Sequence, residues 1–100
     1  MTKKKITIAA EIPVTFLKES NMFVAYSPVL DLSSCGETFE EAKKNFADAI
    51  NIFFEECIKH NTLDKALQAC GWQKKTKSHS PYWQPPAIVG EVRMPIHIPA

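Results

Sequence analysis

Gly36-Glu37-Thr38-Phe39-Glu40-Glu41-Ala42 is the stretch on which the fold turns. Thr38 followed three residues later by Glu41 is a capping box: the Thr hydroxyl accepts the Glu41 backbone N–H, and the Glu side chain reaches back to the Thr N–H. A helix therefore starts at this point. Behind the cap, Phe39, Ala42, Phe46, Ala49, Ile50, Phe53, Phe54, Cys57 and Ile58 recur at three- and four-residue steps and form one apolar stripe. Burying one Phe contributes roughly 1.5–3 kcal/mol, so this stripe can hold a small sheet against the helix. Glu40, Lys44, Asp48, Asn51, Glu55 and Lys59 fall on the opposite, solvent-facing side.

Outward from the helix, residues 6–16 alternate Ile6, Ile8, Ala10, Ile12, Val14 and Phe16 with Thr7, Glu11, Pro13 and Thr15, the period of a half-buried strand. Pro13 cannot donate to a ladder and places that strand at an edge or a bend. The polar stretch 18–21 is a hairpin connection to a second strand, Met22-Phe23-Val24-Ala25-Tyr26. Ser27-Pro28 interrupts, and residues 30–35 read as a third strand, after which Gly36 is expected to turn the chain through a positive φ.

Beyond the long helix, Asn61 or Thr62 is expected to cap a second one over 63–70, with Leu63, Ala66, Leu67 and Cys70 inward. Gly71 closes it, and Trp72 is expected to fold back onto Leu67. Residues 73–86, rich in Lys, Ser and Pro without periodicity, read as an extended linker, with Tyr82 and Trp83 anchoring it. Val92, Met94, Ile96 and Ile98 alternate with Arg93, Pro95 and His97 as a final strand, free to pair with its own sheet or with a second copy of the chain. The expected fold is α+β in the order β-β-β-α-α-β: an antiparallel sheet of three N-terminal strands plus a C-terminal strand, packed on one long and one short helix. In domain terms this is a module over 1–72, a linker over 73–86 and a terminal strand over 87–100.

One hundred residues with 45% hydrophobic content support a single core. No apolar run approaches the ~20 residues of a membrane span, and the Lys-rich start lacks the apolar core of a signal peptide, so a cytoplasmic protein with no membrane partner is expected. Cys35, Cys57 and Cys70 lack C-x-x-C spacing and read as buried or half-buried thiols. The three glycines are scattered singly, which excludes a phosphate loop, and His60, His79 and His97 lack metal-ligand spacing. No catalytic site, cofactor or metal is expected; the paired acids Glu40-Glu41 and Glu55-Glu56 are adjacent and do not face one another. The net charge of +1 is unevenly spread. Lys3, Lys4 and Lys5 and then Lys74, Lys75 and Lys77 are basic clusters, whereas residues 37–56 hold six acids against Lys43 and Lys44, a net −4. That acidic run is either a solvated face or a surface matched to a basic partner.

Ala25-Tyr26-Ser27-Pro28-Val29-Leu30-Asp31, followed in register by Gly36-Glu37-Thr38-Phe39-Glu40-Glu41-Ala42, resembles the N-terminal domain of HicB-type antitoxins across residues 8–72. That resemblance implies a partial double-stranded-RNA-binding-domain fold that no longer binds RNA. It implies instead a protein that neutralises a small basic HicA-type ribonuclease toxin by covering its catalytic histidine and RNA surface. Asp48, flanked by Glu41 and Glu55 at steps of seven along one helix face, is the expected toxin contact. Val92, Met94, Ile96 and Ile98 are the expected dimer strand, giving a homodimer or higher homo-oligomer. Many such antitoxins continue into a DNA-binding domain; Glu91-Val92-Arg93-Met94-Pro95 resembles the first strand of a ribbon-helix-helix, but no helices follow, so operator binding is not expected. The competing reading is a nucleic-acid-binding module that uses the basic start and linker with Tyr82 and Trp83. A third is a small enzyme or metabolite sensor, which would need a closed pocket with a titratable group.

Overall fold

The computed structural model describes residues 11–99 and is α+β. Strands β1 (Thr15–Glu19), β2 (Met22–Ser27) and β3 (Leu32–Gly36) form an antiparallel sheet in that order; helices α1 (Phe39–Lys59) and α2 (Leu63–Ala69) follow, and a hairpin of β4 (Gln73–Lys77) and β5 (Ser80–Gln84) comes last. Phe16, Ala25 and Ser34 lie opposite one another on the face that α1 covers; α1 packs chiefly on β3 and less on β2. On the other face, Leu17, Val24 and Cys35 form a row.

The α1 start forms as its sequence dictates. Glu41 N–H donates to Thr38 Oγ1 at 3.0 Å, while Glu41 Oε1 accepts from the Glu37 N–H at 3.2 Å, one residue earlier than the expected Thr38 N–H. Gly36 does not adopt a positive φ; it is required by proximity, because a Cβ there would sit 2.5 Å from the Ala42 nitrogen and 2.8 Å from the Glu41 carbonyl carbon. Along the stripe, Ala42, Phe46 and Cys57 are buried, but Phe39 and Ile58, at the two ends of the helix, are exposed. Phe39 instead stacks its ring against Phe16 at a 4.3 Å centroid distance.

Both helices end in the same way. Asn61 (φ 56°) and Gly71 (φ 89°) take the left-handed conformation, and the next residue's N–H reaches back to the last turn, Thr62 to the Cys57 carbonyl and Trp72 to the Leu67 carbonyl, each at 2.9 Å. Asn61 is thus a stop for α1, and Thr62 is the N-cap of α2 without a side-chain capping bond. The second motif aims Trp72 into the core, where its indole Nε1–H donates to the Val29 carbonyl at 2.7 Å. Leu30, expected to open the third strand, lies with Val29 in the turn before β3, and both are buried with Cys57, Leu63, Leu67, Trp72 and Trp83. At the rim of that turn Asp31, in the left-handed region (φ 51°), accepts from Tyr26 Oη at 3.2 Å.

Three expectations are corrected. The expected linker over 73–86 is not one: its residues 73–84 fold into the β4–β5 hairpin, closed by Ser78 and His79, both at positive φ. Pro81 is tolerated because each strand of a two-stranded hairpin has an open edge to which a missing donor can point. The first strand begins at Thr15 rather than at residue 6; residues 11–14 are irregular, and residues 6–10 of that expectation lie outside the described ones. Residues 85–99 form no strand, so Val92, Met94, Ile96 and Ile98 do not complete the three-stranded sheet. That tail runs outward, giving a long axis of 59 Å and a radius of gyration of 16.7 Å, against roughly 13 Å for 100 compact residues.

Two measurements check this account. In urea unfolding, Trp72→Phe is expected to cost about 1–3 kcal/mol by stranding the buried Val29 carbonyl, and Leu67→Ala, at a fully buried site, about 2–5 kcal/mol. Ser27→Ala is expected to be neutral or stabilising, since the buried Ser27 hydroxyl has no partner among the described residues. In an alkaline absorbance titration, Tyr26 is expected to ionise above the ordinary tyrosine value, because partial desolvation, the hydrogen bond to Asp31 and the Asp31 charge all oppose the phenolate. Its contribution to stability is therefore complete below pH 10 and is lost as pH rises beyond it; Asp31→Asn is expected to bring the ionisation down.

Candidate functional site

Seven residues are nearly two full helical turns, so Glu41, Asp48 and Glu55 stand in one line on the α1 face directed away from the sheet, and all three are exposed. They differ in availability. The Glu41 carboxylate is engaged in the capping box. Among the described residues, the ion pairs are Glu56 with His60 at 3.2 Å and Asp64 with Lys74 at 3.3 Å, and neither engages Asp48 or Glu55. Asp48 and Glu55 therefore present two carboxylates without an ion pair among the described residues, with Lys44 and Lys59 on the same side of the helix.

Between them sits a residue that the sequence reading did not single out. Ile52, four residues after Asp48 and three before Glu55, is 60% exposed. It falls out of phase with the apolar stripe, and that phase error was the available signal. An exposed aliphatic side chain bracketed by carboxylates has the make-up of a small interface, with an anchor that can be desolvated and a charged rim that selects the partner.

The basic set does not converge to the same degree. Lys74 is occupied, bonded to Asp64 and lying 5.6 Å from the centre of the Trp83 ring. Trp83 is buried and anchors the hairpin, whereas Tyr82 is half exposed and lies opposite Lys75 in the ladder. Lys75, Lys77 and Tyr82 remain as surface groups; Lys3, Lys4 and Lys5 lie outside the described residues.

The thiols are all free, with Cys57 buried, Cys70 half-buried and Cys35 exposed on the sheet face opposite α1. Among the described residues no three His, Cys, Asp or Glu side chains gather as metal ligands. A surface cleft of about 550 Å³ beside Trp83 is lined by Glu11, Tyr82 and the start of the tail, and offers neither a thiol nor an imidazole. No helix of the described residues is long and apolar enough to cross a membrane. The chain matches no family model, no curated protein and no solved structure.

Proposed function

We propose that this chain is a cytoplasmic protein inhibitor, an antitoxin of HicB type that binds a small basic HicA-type ribonuclease and covers its RNA-cleaving surface. The observation that carries this reading is the α1 face on which Asp48 and Glu55, exposed and free of the ion pairs found among the described residues, bracket the exposed Ile52. A ribonuclease must offer a positive surface to phosphates, and a helix face of opposite sign steers encounter and can occupy that surface. Asp48 is the group assigned to the catalytic histidine of the enzyme, Ile52 the apolar anchor, and Glu55 the flanking charge. Glu41 contributes field more than contact, since its carboxylate holds the helix start.

Titration against a HicA-type ribonuclease, with RNA cleavage and complex formation followed together, tests the proposal. Stoichiometric inhibition is expected. Asp48→Lys and Glu55→Lys should each weaken it by roughly tenfold or more, about 1.4 kcal/mol per decade, and Ile52→Asp by more than either. Glu41→Gln keeps a capping acceptor and should change little. Absence of binding to such ribonucleases overturns the reading, and inhibition indifferent to the Asp48, Ile52 and Glu55 substitutions moves the contact off α1.

One arrangement favours a second reading, nucleic-acid binding: the β4–β5 hairpin sets Lys75 beside Tyr82 on exposed positions. RNA or DNA binding that falls steeply with salt and is lost in Lys75→Glu would promote it.

A further inference from the structure

The cleft beside Trp83 is lined by groups that suit one kind of ligand. It runs between residues 11–13 and the stretch 82–88 and encloses about 550 Å³. Trp83 is buried and forms its floor, Pro85 and Pro86 are half-buried walls, and Glu11, Pro13 and Tyr82 stand exposed at its rim. One wall is seated on the body of the protein: Pro86 lies over Gly71, where a Cβ would meet the proline ring at 3.7 Å.

Acceptors are favoured in this lining. Pro13, Pro85 and Pro86 keep their carbonyls but have no N–H to donate. Glu11 adds a carboxylate that neither ion pair among the described residues engages. Among those residues no Lys, Arg or His lines the cleft, so an anion meets no opposite charge there. A metal ion fares no better, because no cluster of three His, Cys, Asp or Glu forms around Glu11. What fits is a cation on a hydrocarbon stem, since the volume exceeds that of a bare ion and the proline and indole surfaces are apolar. The indole already accepts such a group: the Lys74 ammonium, outside the cleft lining and paired with Asp64, lies 5.6 Å from the centre of the Trp83 ring.

We propose that this cleft binds an alkylammonium group, the end of a lysine side chain or of a free aliphatic amine. The ammonium sits on the Glu11 carboxylate, and the stem runs along Pro85 and Pro86 above Trp83. The site lies on residues 11–13 and 82–86 and does not rest on the inhibitor reading, whose contacts are on α1.

Titration of the full chain, followed at the Trp83 indole N–H by nuclear magnetic resonance, tests it with two probes, n-butylammonium and Nα-acetyl-lysine amide. A saturable shift is expected, with a Kd of roughly 1–10 mM for ligands so small. n-Pentanol and the Nε-acetylated lysine amide keep the stem without the charge and should leave the signal in place. Glu11→Gln should weaken binding by roughly fivefold with the urea midpoint unchanged, because Glu11 is exposed. Either probe binding in this way supports the proposal, and the tighter of the two says whether the source is a protein lysine or a free amine. A Trp83 signal that does not move overturns it, as does a shift that the uncharged probes reproduce or that Glu11→Gln leaves intact. Shifts confined to Asp48 and Glu55 report general attraction of cations to α1 and overturn it too.

Discussion

One buried hydrogen bond ties the two halves of this fold together: the indole N–H of Trp72 on the Val29 carbonyl, between residues 43 apart in sequence. The turn between β2 and β3 must bury Val29 and Leu30 to fill the core, and burying a turn takes its backbone carbonyls away from water. Trp72 supplies both the apolar bulk that covers the turn and the donor that satisfies it. Its position is in turn set by Gly71, whose left-handed conformation lets the Trp72 N–H reach the Leu67 carbonyl and aims the ring inward. The core thus depends on a glycine that touches little of it.

The sheet and the helix are joined by closeness of backbone. Gly36 admits the first turn of α1 to within a distance that no side chain permits, and Asn45 Nδ2 donates to the Cys35 carbonyl at 2.8 Å, fastening the helix to strand β3. With the helix drawn onto β3 and β2, its opposite face has no neighbour in the sheet, which is why Asp48, Ile52 and Glu55 remain outside.

What was legible in the sequence followed from how many residues carried each signal. The α1 start was plain because Thr38 and Glu41 satisfy each other locally, and the α2 stop was plain because Gly71 and Trp72 form a self-contained motif. The β4–β5 hairpin was not, because it buries little besides Trp83: strands wet on both faces show no alternation, and Ser78-His79 is not a sequence that announces a turn with two positive φ values. Leu30 reads as strand because burial and strand formation leave the same apolar mark. The line of Glu41, Asp48 and Glu55 was readable from spacing alone, but the prior engagement of Glu41 in the cap, and Ile52 between the other two, needed coordinates.

The slender attachment of the hairpin, one buried Trp83 and the exposed Lys74–Asp64 pair, sets an order of events when the molecule opens. Trp83 is its one buried side chain, reinforced by Lys74 over the indole ring, while the sheet and helices hold their core through many. Cooperative units with few buried contacts separate at lower free energy than the rest. Residues 73–84 accordingly form a unit that detaches with the sheet and α1 still folded, and amide protons there exchange by a sub-global route.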